Sequence, residues 1–154
     1  PGYGEFIGQA AAAVRAAADA KYQSYLREDM ANGKYPPYKA SGMAYIRFAR
    51  EERELFKLLF MCDRSDQPIE EDREAIRPLI RLIQDNLGIT EEAAYLFHLE
   101  MWVYVHGIAT MIATSYLDWE EPFISKVITD AYVGMKYRYT EGKDHAGHSD
   151  EAAH

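Results

Sequence analysis

From Thr90 to about Ser115 the chain carries a helix-forming run that is apolar nearly all the way round: Phe97, Leu99, Met101, Trp102, Val103, Val105, Ile108, Met111 and Ile112. A surface helix keeps its apolar residues to one side, so a helix with no polar face has to be covered on more than one side. Soon after it, Phe123, Ile124, Val127, Ile128, Ala131, Tyr132 and Met135 form a wide apolar stripe on a second long helix. Two such neighbours have more apolar surface than one small core can enclose. The simplest cover is the same pair from a second subunit, giving a two-fold-symmetric, intermolecular four-helix bundle. Met111, Ile112, Phe123, Ile124, Val127, Ile128, Ala131 and Tyr132 are the expected interface residues. The alternative is that both helices lie inside a larger monomeric core.

The rest of the chain also reads as helix, giving an all-α bundle of about six helices. The first runs from about Glu5 to Asn32; it is rich in alanine, and Phe6, Val14, Tyr22, Tyr25, Leu26 and Met30 define one face. Asn32-Gly33 stops it, and Tyr35-Pro36-Pro37-Tyr38 is a rigid extended connection. A second helix starts near Pro37 or Tyr38 and carries Met43, Tyr45, Ile46, Phe48 and Ala49 inward; Arg50 to Glu54 interrupts the pattern, and Leu55 to Phe60 resumes it as a third. Asp63 to Pro68 is a polar turn. A fourth helix opens with the acidic Glu70-Glu71-Asp72, which suits the positive end of the helix dipole, and ends at Leu87-Gly88. Pro78 inside it is expected to kink the helix or reset its start. Thr90 caps the fifth helix, and Asp118 is the expected cap of the sixth, with Pro122 in its first turn. The helical domain is taken as residues 1–139, and 140–154 as a polar, flexible tail.

A formal net charge of −8 argues against a nucleic-acid surface on these residues, because duplex binding needs a basic face that displaces counterions. No uninterrupted apolar stretch approaches the roughly 20 residues that span a bilayer, and no secretory signal opens the chain. The single cysteine, Cys62, has no internal partner and fits a reducing compartment. The expectation is a cytoplasmic domain without membrane contact.

No catalytic constellation stands out, and the chain is not expected to be an enzyme or to hold a cofactor or metal. There is no zinc-type spacing, no phosphate-binding glycine loop and no Gly-x-Ser-x-Gly elbow. His98 and His106 lack the glutamate three residues earlier that di-iron bundles use. Asp144, His145, His148, Asp150, Glu151 and His154 make a mixed tail set without fixed geometry, a poor metal site. His98, Glu100 and His106 are the polar residues of an otherwise apolar helix; they are either satisfied by neighbours or aimed at a ligand.

Met101-Trp102-Val103-Tyr104-Val105-His106-Gly107-Ile108-Ala109-Thr110-Met111 resembles the tryptophan…histidine-glycine signature of one group of TetR-type regulator C-terminal domains. Tyr45 to Met61 is similar to the segment joining that family's fifth and sixth helices. The family often has histidine-proline where this chain has Glu52-Arg53, which suggests a less abrupt break. The similarity spans about Phe6 to Tyr139.

The resemblance implies a homodimer joined by its last two long helices and a ligand cavity in each subunit. It also implies a helix-turn-helix head upstream of Pro1, the only part that would touch DNA. On that footing the ligand-site candidates are Tyr22, Tyr25, Tyr45, Phe48, Phe60, Phe97, His98, Met101 and Trp102. Aromatics at helical spacing also serve as plain core. The many tyrosines favour a pocket, and an aromatic-lined pocket suits a small hydrophobic, aromatic or cationic molecule. The implied function is an effector-sensing, dimerising repressor domain; the alternatives are a stand-alone dimeric interaction module or a small helical enzyme.

Overall fold

The computed structural model describes residues 2–66 and 69–141, with the side chains of 69–72 left aside. Six α-helices follow one another among the described residues: α1 Tyr3–Ala31, α2 Pro37–Glu51, α3 Arg53–Phe60, α4 Ile69–Leu87, α5 Glu91–Ala113 and α6 Glu121–Thr140. The helical bundle matches the expected count and order. Residues 142–154, with the mixed tail set, lie outside the described residues.

Several boundaries follow directly from local chemistry. Asn32 caps the end of α1 and Gly33 takes φ +71°, a left-handed turn that costs glycine little. Gly88 ends α4 in the same way at φ +66°. The Thr90 hydroxyl accepts the Ala93 amide at 3.2 Å, satisfying one of the free donors at the start of α5. Pro122 falls in the first turn of α6, as expected.

Two expectations are corrected, and of the two alternatives at Pro78 one is removed: α4 runs from Ile69 through it, so Pro78 does not reset the helix start. The acceptor that Pro78 leaves without a donor belongs to Glu74, and both residues are exposed, so water can replace the lost bond. Asp118 does not cap α6. Glu120 holds that position, and Asp118 pairs with Arg50 at 2.9 Å. The break between α2 and α3 is sharp even without proline: Glu52 alone leaves helical geometry, at φ −123° and ψ 57°.

The chain divides into two compact units, Pro1–Asp66 with His106–Asp118, and Gln67–Val105 with Trp119–His154. In the first, α1 packs on α2 and α3. Tyr38, Met43, Ala44, Tyr45, Ile46, Phe48, Ala49 and Phe56 are buried there with Ile108, Ala109, Ile112 and Ala113 from the end of α5. Arg47 ties α1 to α2: its guanidinium forks onto both carboxylate oxygens of Asp29 at 3.0 and 3.1 Å, reaches Glu51 at 3.0 Å, and lies 4.1 Å from the Tyr25 ring centre. In the second unit Ile80 and Ile83 of α4, Ala94, Phe97, Met101 and Val105 of α5, and Ile124 and Ile128 of α6 are buried. Phe97 meets Tyr132 and Tyr139 edge-on at 5.6 and 5.3 Å.

Candidate functional site

The first unit contains a nest of rings built from α1, α2, α3 and the end of α5. Tyr22 of α1 stands 6.0 Å from Tyr45, 5.3 Å from Phe48 and 5.0 Å from Phe60. Tyr45 stands 5.3 Å from Phe56 and 4.8 Å from Phe60, and Phe56 meets Phe60 at 5.3 Å. The pairs are edge-on or tilted, the arrangement the ring quadrupole favours. Helical spacing explains it: Tyr45 and Phe48 share a face of α2, and Phe56 and Phe60 share a face of α3. The one-residue break at Glu52 folds the second face toward the first.

His106 closes this nest. Its Nδ1 lies 2.7 Å from the Tyr45 hydroxyl, and its ring centre is 6.1 Å from Tyr45 and 6.0 Å from Phe56. Burial lowers the His106 pKa, so the ring is neutral at pH 7 and can accept the tyrosine proton. One turn further along α5, the Thr110 hydroxyl is buried and meets no hydrogen-bond partner among the described residues. Tyr22 has its pKa pushed well above the usual phenol value, mainly by burial and to a lesser degree by the negative charge of Asp19.

Of the expected ligand residues, the structure therefore brings together Tyr22, Tyr45, Phe48 and Phe60. Tyr25 touches Phe48 edge-on at 5.3 Å, but its ring carries Arg47. Phe97, His98, Met101 and Trp102 belong to the other unit. There Phe97 and Met101 are buried, and burial lowers the His98 pKa to about 4. Phe56 and Thr110 were absent from the candidates. Phe56 reads in the sequence only as one apolar residue among several, and nothing local signals the orphaned hydroxyl.

The expected interface residues separate by depth. Ile112, Ile124 and Ile128 are buried within the chain itself, Met111, Val127, Ala131 and Tyr132 are half-buried, and Phe123 is exposed. The large apolar side chains left outward include Leu96, Leu99 and Val103 on α5 and Phe123, Val133 and Tyr137 on α6, each 48–60% exposed, with Tyr104 on α5 at 42%. Lys126 on the outer face of α6 lies within electrostatic reach of Tyr104 on α5, so the two outer faces adjoin there. The second unit also holds a shallow cleft of about 230 Å³ between the Leu87–Thr90 turn and Tyr139–Thr140. Tyr139 is its one titratable lining group, and its hydroxyl bonds to Glu100 at 2.8 Å.

Among the described residues no group of three or more histidine, cysteine or acidic side chains is placed to hold a metal. By length and composition α5 is also long and apolar enough to cross a membrane. It carries Glu91, Glu92, His98, Glu100 and His106, and its buried face is shared core.

The described residues form an all-helical fold with a ring-lined unit and two long helices that carry outward apolar side chains. The chain belongs to the tetracyclin repressor-like, C-terminal domain family, whose model matches residues 38–129, from the start of α2 into α6. That family is regulatory, and its members typically dimerise and bind small molecules. No curated protein and no solved structure shows a significant match to the chain.

Proposed function

We propose that this chain is the effector-sensing and dimerising part of a transcriptional repressor. It acts on DNA through a helix-turn-helix head outside the sequence described, and belongs to the subgroup that carries Trp102 and His106-Gly107. The observation that carries the reading is the uncovered apolar face on α5 and α6. Leu96, Leu99, Val103, Phe123, Val133 and Tyr137 are large, outward and on the last two long helices, in a family whose members typically dimerise. A second copy of the same face is the cover that symmetry supplies, since an isologous interface repeats one patch on both subunits. Ile124 and Ile128 then support that face from within, and Val127 lies at its margin.

The ligand would enter the ring nest of the first unit. One helix, α5, contributes His106 and Thr110 to that unit and Leu96, Leu99 and Val103 to the outward face. A molecule that favours one setting of α5 in the nest thereby biases the helices that meet the partner. Such a switch requires the ligand to bind the two arrangements with different affinity.

The test is molar mass in solution by light scattering at several protein concentrations. The native chain is expected to run as a dimer. Val103→Glu is expected to raise the dissociation constant by about 100-fold or more, because two-fold symmetry buries two unpaired carboxylates. Its helical circular dichroism should stay native, as Val103 is exposed in the single chain. A native chain that is monomeric at every concentration refutes the dimer.

A further inference from the structure

Gly134 lies inside α6, well away from either end, and it is exposed. Glycine is the poorest helix former after proline, so it weakens the helix that carries it. Crowding within the chain does not explain it: a Cβ placed on Gly134 would meet no atom of the described residues within 4 Å. The backbone of α6 is therefore open there to close approach from outside the chain.

Phe123, Val127, Asp130, Gly134 and Tyr137 follow one another at steps of four, three, four and three residues, which keeps them in one seam along α6. Val127 is half-buried and the other four are exposed. The seam has a centre, between Ile128 and Thr129. Phe123 stands as far before it as Gly134 stands after it, and Val127 as far before it as Asp130 after it. Two copies of α6 laid antiparallel across that centre put the ring of one over the bare backbone of the other, once at each end. Lys126 and Asp130, paired within the chain at 2.6 Å, flank the same centre. The antiparallel setting also brings each Lys126 beside Asp130 of the partner subunit. A parallel setting would lay Lys126 on Lys126 and Asp130 on Asp130, and would leave the two glycines facing across a gap. Charge and shape both select the antiparallel one.

We infer that α6 meets α6 of a second copy of this chain in antiparallel register, with the Phe123 ring of each subunit seated on Gly134 of the other. The inference rests on the dimer reading above and gives that interface its register. A two-fold axis through the centre of the seam makes the contact isologous, so one chain supplies both the knob and the hole. Trp119 backs the knob from its own chain, tilted against Phe123 at 5.9 Å between ring centres. In the same register Tyr137 lies toward Glu120 at the start of the partner subunit's α6, where its hydroxyl can donate to the carboxylate.

The experiment uses the whole chain and two readouts. Cys62, the single cysteine of the sequence, is first replaced by serine. In that background Phe123→Cys and Gly134→Cys are oxidised separately and as an equimolar mixture. The mixture should yield a disulfide joining position 123 of one subunit to position 134 of the other, identified by peptide mass, because the register brings those two backbones within disulfide reach. Neither variant should cross-link with itself. A disulfide within either variant alone, or none in the mixture, overturns the register. The second readout is light scattering with Cys62 in place. Gly134→Leu should raise the dimer Kd about tenfold or more, since the added side chain displaces the seated ring at both ends. The same substitution should raise the melting temperature by about 1–4 °C where both proteins are monomeric, because leucine favours helix over glycine. An unchanged Kd overturns the inference and leaves the dimer standing. A lower melting temperature also overturns it, by giving Gly134 a role within its own chain. A native chain that is monomeric at every concentration removes the dimer reading and the register together.

Discussion

Both units leave large apolar side chains exposed, but α2 and α3 of the first and α5 and α6 of the second use their rings and aliphatic side chains differently. In the first, rings are closed on rings: Tyr45, Phe48 and Phe56 are almost fully buried, and the polar edge of the nest is answered by His106. In the second, α5 and α6 leave Leu96, Leu99, Val103, Phe123, Val133 and Tyr137 outward. One helix takes part in both, so the contrast is not one of composition. Apolar surface on α5 is enclosed near its end, where His106 meets α2 and α3, and left outward near its start. Scattered exposed apolar residues are ordinary on proteins; a set on two adjoining helices marks a surface that meets something.

The contrast is sharpest under truncation. Phe56→Ala removes a side chain with no exposed surface that touches Tyr45, Phe60 and His106. It should cost about 3–5 kcal/mol, read as a lowered urea midpoint at unchanged slope. The paired substitution Val103→Ala, measured where the protein is monomeric, should cost under about 0.5 kcal/mol. Similar losses at the two positions would mean that the outward face is already covered within one chain.

Acid should separate the units as well. His98, in the second unit, has its pKa lowered to about 4 by burial, against about 6.5 in an unfolded chain. The neutral ring contributes its full stability above pH 6.5, and that contribution is lost as the pH falls toward 4, because the unfolded state takes up the proton first. The ceiling is about 3 kcal/mol. Urea midpoints at pH 7.5 and 5.0 should differ in the native chain and differ less in His98→Gln. An unchanged pH dependence in that variant would assign the acid sensitivity to other groups.

A smaller effect is expected at Arg47, which joins α1 to α2 through Asp29 and covers Tyr25. Arg47→Met keeps the stem but loses a two-pronged ion pair whose Asp29 end is well shielded, and should cost about 1–2 kcal/mol. Raising salt should narrow the difference only slightly, since shielded pairs are screened less than exposed ones.

Local chemistry in the sequence was enough to locate Thr90, Gly33, Gly88 and Pro122, because caps and turns are decided within a few residues. Asp118 misled for a related reason. It looks like a cap before an acidic turn, but Arg50, far away in the chain, claims it. Periodicity identified the inward residues of α2 and showed that α5 and α6 have surplus apolar surface. It could not say which of Ile112, Ile124, Ile128 and Phe123 stays outward, since that depends on which neighbouring helix of its own unit covers each one. The ring nest was half legible for the same reason. Tyr22, Tyr45, Phe48 and Phe60 were recognisable as a set, whereas Phe97 and Trp102 were grouped with them although the chain places them in the other unit. Thr110 had no sequence signal, because an orphaned hydroxyl is defined only by what fails to approach it.

The finest test of the first unit is the bond that seals its ring nest. The Tyr45 hydroxyl and the His106 Nδ1 are 2.7 Å apart, and burial favours the neutral imidazole; in the tautomer protonated at Nε2 the tyrosine donates and Nδ1 accepts. Tyr45→Phe keeps the ring contacts to Tyr22, Phe56 and Phe60 and deletes the donor alone. It should cost about 1 kcal/mol near pH 7.5. A double-mutant cycle with His106→Gln isolates the pair from the packing that each ring provides, and a coupling of about 1 kcal/mol is expected. A coupling under about 0.3 kcal/mol would show that water answers both groups as well as they answer each other. The nest would then be open and hydrated at this edge, and the difference between the two units would be one of degree.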